Sequence, residues 1–338
     1  MKAITALGPS ADHPAGLLQD TSIPFPPLPG PQDLRVRVEA VAVNPVDLKV
    51  RGTLSSGGPP QVLGWDAAGV VEAVGDGVSR FRIGDPVMFA GAINRPGCQA
   101  ESVLVDERLA GRKPSNLSFA EAAALPLTGL TAWESLFEHL GLDPDGGDRG
   151  STLLILGAAG GVGSVAIQLA RQAELRVIAT ASRAESHDWV RKLGAEWVVD
   201  HSLPIGPQLD GLGLQTVDAI ANFYDTDLYW ELMAERIRPQ GKIVALVSSR
   251  GGLDLNRLKN KSVQFGWEYM FTRSQFRTPD MGEQGRILDS LATAVESGTL
   301  MTTAKTFLQP INAATLNGAY TLLQEGHTQG KIVLSSWD

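Results

Sequence analysis

Between residues 153 and 163 an apolar run, Leu153-Leu154-Ile155-Leu156, empties into Gly157-Ala158-Ala159-Gly160-Gly161-Val162-Gly163. Past the turn, Val162, Val165, Ala166, Leu169, Ala170 and Ala173 recur at i, i+3, i+4 spacing, so one face of the following helix is apolar. A buried strand, a glycine turn and a sheet-packing helix in that order force a βα unit. They also leave bare backbone N–H groups at a helix N-terminus, which is how a chain cradles a pyrophosphate. The strict G-x-G-x-x-G spacing would place glycines at 158, 160 and 163, and position 158 is Ala. The turn therefore reads as a dinucleotide cradle formed by Ala159, Gly160, Gly161, Val162 and Gly163, the alternative being a tight βα turn without a ligand.

Charge at the end of the next strand selects the dinucleotide. A binder of NAD places an Asp or Glu there to hold the ribose diol. Here the strand Leu175–Thr180 is followed by Ala181-Ser182-Arg183, with no acid. A hydroxyl and a guanidinium suit a 2′-phosphate, which a carboxylate would repel, so NADPH is expected over NADH. The competing reading makes Ser182 a helix cap with Glu185 as its capping-box partner and leaves Arg183 solvated. His201, just after the strand Trp197–Asp200, and Val247, at the end of the strand Lys242–Val247, complete the expected cofactor set in this half.

The 338 residues allow about two domains, and 43% hydrophobic content is ordinary for a globular chain. A net charge of −8 provides no basic field for nucleic acid. Cys98 is the single cysteine, so neither a disulfide nor a thiolate cluster is available and a reducing, cytoplasmic setting is expected. No run reaches the ~18 apolar residues of a membrane span, and the N-terminus does not read as a signal peptide.

Strand grammar changes along the chain. Leu34, Val36, Val38 and Ala40 alternate with Arg35, Arg37 and Glu39, the period of a half-buried strand. Further strands are expected at 67–74, 85–90 and 101–105, giving a mostly antiparallel β region. From residue 152 strands alternate with helices, which predicts a parallel sheet with crossovers, including strands at 217–221 and 242–247. Near the end, Asn312 is placed to cap a helix carrying Leu316, Tyr320 and Leu323, followed by a short strand, Lys331–Leu334.

These pieces, together with Asn44-Pro45-Val46-Asp47-Leu48-Lys49-Val50-Arg51, Gly64-Trp65-Asp66-Ala67-Ala68-Gly69-Val70-Val71, Phe81-Arg82-Ile83-Gly84-Asp85-Pro86-Val87 and Trp267-Glu268-Tyr269-Met270-Phe271-Thr272-Arg273, resemble the medium-chain dehydrogenase/reductase superfamily over essentially the full chain. Within it they look like the quinone-oxidoreductase branch, in the group often labelled zinc-type alcohol dehydrogenase-like. The resemblance implies an α/β protein: a Rossmann-type doubly wound parallel sheet at 127–273 binding NADPH, plus a GroES-like, mostly-β catalytic domain at 1–126 with 274–338. It also implies a homodimer.

In zinc-dependent relatives a cysteine lies where Asn44 stands and a His-Glu pair where Trp65-Asp66 stands. Amide and indole are poor zinc ligands, and His13, His139, His187, His201 and His327 form no close pair, so no metal site is expected. Without a Lewis acid to acidify an alcohol, reduction of a quinone, enone or reactive aldehyde is the favoured reaction. A cofactor-binding sensor without turnover and an alcohol dehydrogenase are the alternatives. The resemblance places Asn44 and Thr128 beside the nicotinamide as catalytic candidates, with Lys331 near the same end of the cofactor. Trp65, Phe89, Trp267 and Phe271 are candidate pocket residues, each with a core role as its alternative. Asp47 and Arg51 are spaced for an i,i+4 ion pair. Enone reductases often carry a tyrosine shortly after this arginine, and here Gly52-Thr53-Leu54-Ser55-Ser56 follows instead.

Overall fold

The structure is a computed structural model that describes residues 1–14, 16–326 and 328–338, so His327 lies outside the described residues. The chain divides into two compact units, Met1–Leu130 with Phe271–Asp338, and Thr131–Met270.

The first unit is built on antiparallel strands: β1 (Lys2–Leu7), β2 (Leu17–Ser22), β3 (Asp33–Ala42), β4 (Gln61–Val62), β5 (Ala67–Val74), β6 (Pro86–Phe89), β7 (Ser102–Asp106) and β8 (Ala110–Arg112). β2, β1 and β4 form a small sheet, while β3, β5, β6 and β8 run in that order through a larger one, with β7 also on β3. The alternation in β3 does what its period requires, burying Leu34, Val36 and Val38. At its far end the register shifts between Val38 and Ala40, and Ala40, Val41 and Ala42 are all buried. A bulge bends the strand there and releases it from strict alternation.

Two strands from the C-terminal segment, β15 (Ala304–Leu308) and β16 (Lys331–Ser335), extend the larger sheet beside β3, pairing Val333 with Ala42 and Leu334 with Val41. Asn312 caps the intervening helix, Ala313–Gln324, its side chain accepting from the Thr315 N–H at 2.9 Å. Three helices bear on the site. They are α1 (Pro45–Arg51), α2 (Phe119–Ala123) and α3 (Pro126–Trp133).

The second unit holds six parallel strands: β9 (Thr152–Leu156), β10 (Arg176–Thr180), β11 (Trp197–Val199), β12 (Val217–Asn222), β13 (Ile237–Ala245) and β14 (Gln264–Trp267). Their order, β11-β10-β9-β12-β13-β14, is the doubly wound 3-2-1-4-5-6 arrangement, whose direction reverses beside β9. Leu154, Ile155 and Leu156 are fully buried, each stabilising the sheet by roughly 1.5–3 kcal/mol. The strand expected at 242–247 starts earlier, since Ile237 pairs with Val217 and the β13 residues between it and Lys242 bulge out of register, and it ends at Ala245. Helices α4 (Gly161–Gln172), α5 (Ala184–Leu193), α6 (Ile205–Gly211) and α7 (Thr226–Arg236) connect the strands.

Candidate functional site

At the switch point, β9 ends at Leu156 and Gly157 turns the chain with φ +77°, a conformation that costs a side chain dearly. The Gly157 N–H donates to Thr180 Oγ1 at 3.1 Å, and Thr180 Oγ1 donates to the Ile155 carbonyl at 3.2 Å, so β10 braces the turn. Gly160 is the extended N-cap of α4 and Gly161 its first helical residue. Ser164 Oγ donates back to the Ala159 carbonyl at 3.3 Å. The result is an uncluttered helix N-terminus at the carboxyl end of the central strand, with Ala159, Gly160, Gly161, Val162 and Gly163 around it. These residues fit a pyrophosphate.

Next to it, the Ala181 N–H donates to the Val199 carbonyl at 3.0 Å. The residues leaving β10 therefore travel alongside those leaving β11. Arg183, not Ser182, is the N-cap of α5, and its side chain makes no capping hydrogen bond, so the Ser182–Glu185 capping box of the competing reading does not form. The helix begins one residue too late for it. Ser182 is half-buried and Arg183 exposed. His201 lies in the same neighbourhood: burial depresses its pKa, Asp200 opposes the shift, and the positive fields of Arg183 and His187 add to it. His187 approaches the Ala181 carbonyl at 2.7 Å through Nε2. Two histidines with no signal of pairing in the sequence thus share one environment, brought together by the β10–β11 register. Val247 follows β13, and its carbonyl accepts from Thr226 Oγ1 at 2.5 Å.

In the first unit the residues around Asn44 converge because β16 lies against the end of β3. The Val43 N–H donates to the Ile332 carbonyl at 3.1 Å, which delivers Lys331 to the start of α1. Asn44 is the extended N-cap of α1 with Pro45 at N1, and its N–H donates to Asp47 Oδ2 at 2.9 Å, one half of a capping box. The Lys331 ammonium, 3% exposed, donates to Val43 O at 2.8 Å and Asn44 Oδ1 at 2.5 Å, and stands 3.0 Å from Asp66 Oδ2. Asn44 Nδ2 donates to Asp66 Oδ2 at 3.1 Å, and the Leu127 N–H, in the first turn of α3, donates to Asp66 Oδ1 at 3.1 Å. Burial pushes the Asp66 carboxyl up, while the Lys331 ammonium and the donors on both oxygens pull it back. Burial raises Asp47 to about 7, and its Oδ1 has no hydrogen-bond partner.

Several expectations change in this light. Lys331, read as a residue near the cofactor, spends its three N–H donors inside the first unit. Among the described residues no Asp47–Arg51 ion pair forms, because Asp47 turns back to cap α1 while Arg51 Nη2 donates to the Gly16 carbonyl at 3.1 Å. Thr128 is no cap. It sits within α3 and its hydroxyl donates to the Ala124 carbonyl one turn back, at 3.0 Å. Trp65, Phe89 and Phe271 are buried, and Trp65 and Phe89 line one small cavity with Gly64 and Cys98; Trp65 Nε1 donates to the Ala92 carbonyl at 3.1 Å and its ring meets Phe271 edge-on at 6.2 Å. Trp267, at the end of β14, is the exposed member of that set, at 44%.

The six-stranded nucleotide fold and the glycine turn define a dehydrogenase-type architecture. An alcohol dehydrogenase GroES-like domain family matches residues 30–130, and a family described as zinc-binding dehydrogenase matches 161–279. The chain belongs to the medium-chain dehydrogenase/reductase superfamily of oxidoreductases. It is 38% identical to a zinc-type alcohol dehydrogenase-like protein of Staphylococcus epidermidis over 91% of this chain and 92% of that protein. A crystal structure of a candidate zinc-dependent alcohol dehydrogenase from Rhizobium etli CFN 42 superposes with a TM-score of 0.94 at 44% identity, covering 100% and 98% of the two chains. A quinone oxidoreductase from Coxiella burnetii superposes with a TM-score of 0.80 at 28% identity, covering 100% and 99%.

The residues present do not fit zinc. The Trp65 indole offers no lone pair and donates to a carbonyl, the Asn44 amide oxygen and the Asp66 carboxylate are bound to the Lys331 ammonium, and burial pushes the Cys98 thiol up, away from the thiolate that a metal needs. Among the described residues no helix is long and apolar enough to cross a membrane.

Proposed function

We propose that this protein is an NADPH-dependent, zinc-independent oxidoreductase that reduces a quinone, an enone or a reactive aldehyde. The observation that carries the reading is the end of β10, where Ser182 and Arg183, and no acid, follow the strand, in a neighbourhood shared with two histidines and with Asp200 from the end of β11. NADPH, when bound, supplies a hydride. The N–H groups of the turn from Ala159 to Gly163 and the N-terminus of α4 hold the pyrophosphate, and Ser182 and Arg183 hold the 2′-phosphate with charge-assisted hydrogen bonds. His201 and Val247 complete that end of the site.

Within the first unit, Asn44 and Thr128 are the catalytic candidates. Asn44 Nδ2 keeps one N–H whose contact within the protein is long, 3.5 Å to the Ala42 carbonyl. We assign it to the oxyanion or enolate that develops as hydride arrives. An electron-poor acceptor suits such a site, since an alcohol would need a group that takes its proton, and the carboxylate bonded to the Asn44 amide, Asp66, is held by a buried ammonium.

The test is a titration of NADPH and NADH, followed by cofactor oxidation with a panel of quinones, enones and aldehydes. Tighter NADPH binding with turnover supports the reading. NADPH binding without oxidation of any acceptor replaces it with a sensor role, and alcohol-dependent reduction of NADP⁺ replaces it with alcohol dehydrogenation.

A further inference from the structure

Three oxygens converge on one point in the first unit: a backbone carbonyl (Val43 O), an amide oxygen (Asn44 Oδ1) and a carboxylate oxygen (Asp66 Oδ2), at 2.8, 2.5 and 3.0 Å from the Lys331 nitrogen. Carbonyl, amide and carboxylate oxygens are the donor set of a hard cation. All the side chains involved are buried, so the cost of desolvating them is met only if a positive charge stays at that point. The same charge decides which way the Asn44 amide faces. With an ammonium on one side and a carboxylate on the other, only one orientation puts oxygen to the cation and nitrogen to the anion.

We infer that the Lys331 ammonium is a tethered cation filling an oxygen-lined cation site, and that it acts as a positioning residue by fixing the Asn44 amide with its nitrogen toward Asp66. The dehydrogenase family that matches this chain is described as zinc-binding, and here a covalently attached ammonium stands among oxygen ligands unsuited to zinc. The kinetic half of this inference rests on the catalytic role proposed for Asn44, whereas the cation site does not.

Lys331→Ala removes the ammonium and leaves the three oxygens. Its Tm is expected to fall by roughly 5–10 °C, as for breaking a buried ion pair in a chain of this size. Ammonium, methylammonium or potassium ions, which fit the vacated volume, are expected to regain at least half of that loss, while tetramethylammonium at the same ionic strength regains none and wild type responds to none of them. If the variant does not fold unaided, the readout is refolding yield in ammonium against tetramethylammonium. The double variant Lys331→Met, Asp66→Asn, which cancels both charges, is expected to fold and to show no cation response.

For the positioning role, kcat is expected to drop at least tenfold in Lys331→Ala and to recover with the same cations in the same order as Tm, at unchanged NADPH affinity. A Tm indifferent to the choice of cation, or a wild-type Tm in Lys331→Ala, overturns the cation site. Recovery of Tm without recovery of kcat overturns the positioning role. A wild-type enzyme that binds NADPH but turns nothing over overturns the proposed function and leaves the cation site standing on its Tm response.

Discussion

Gly163 lies so close to Ala158 that a Cβ built on it would stand 2.5 Å from both the Cα and the carbonyl oxygen of Ala158. The helix that follows the turn can approach β9 only because that hydrogen is not a methyl. Gly163→Ala is therefore expected to push α4 off the sheet, lowering unfolding stability by about 1–3 kcal/mol. At Gly160, by contrast, the closest atom to a new Cβ is the Gly157 carbonyl oxygen at 3.4 Å. Gly160→Ala is expected to keep wild-type stability in urea while weakening NADPH binding, because its methyl would stand at the turn proposed to hold the pyrophosphate. Equal stability loss in the two variants would contradict this division of roles.

Arg183→Ala is expected to weaken NADPH binding by roughly 10- to 100-fold, the range of one or two charge-assisted hydrogen bonds, and to leave NADH binding unchanged. Fluorescence titration of both cofactors decides it. A parallel loss for both, or no loss for either, removes the 2′-phosphate from the end of β10.

Asp47 has its carboxyl raised to about 7 by burial, against about 4 in an unfolded chain. Between those values the folded protein holds a proton that the unfolded one has released. Stability from this group is accordingly greatest below about 4 and falls as pH rises to about 7. Asp47→Asn keeps an oxygen to accept from the Asn44 N–H, and is expected to flatten Tm against pH in that window. A slope identical to wild type would place the dependence on another group.

Trp189 Nε1 donates to Ser164 Oγ at 2.8 Å, tying α5 to the first turn of α4. Ser164→Ala is expected to cost about 1–3 kcal/mol, more than its lost volume would. A double-mutant cycle with Trp189→Phe isolates the pair: coupling below about 0.5 kcal/mol would show that packing, not this bond, holds the two helices.

Prolonged dialysis against a chelator is expected to leave the rate of NADPH oxidation unchanged, since the Asn44 and Asp66 oxygens already serve an ammonium. One tightly held zinc per chain in elemental analysis, removed together with activity, would overturn this.

Much of the second unit was legible from residue order. A βα turn is a local event: strand, glycines and helix face are contiguous, so the run from Leu153 to Ala173 carries its own geometry. The alternation in β3 was legible for the same reason until the bulge beyond Val38 broke the period. What the chain order obscured was the start of α5. Ser182 is the better N-cap by residue type, and only the structure, with Ala181 paired to Val199, puts Arg183 in that place instead.

The sequence by itself determined the βα nucleotide unit, the missing acid after β10 and the lack of good zinc donors at Asn44 and Trp65, because each depends on residue type at neighbouring positions. Tertiary structure alone decided the fate of Lys331. Nearly three hundred residues separate it from Asn44, and a lysine at the start of a strand reads locally as a surface cation. Only the pairing of β16 with β3 carries that charge into the core, where a buried carboxylate and a low dielectric make one ammonium position and one amide orientation the stable ones.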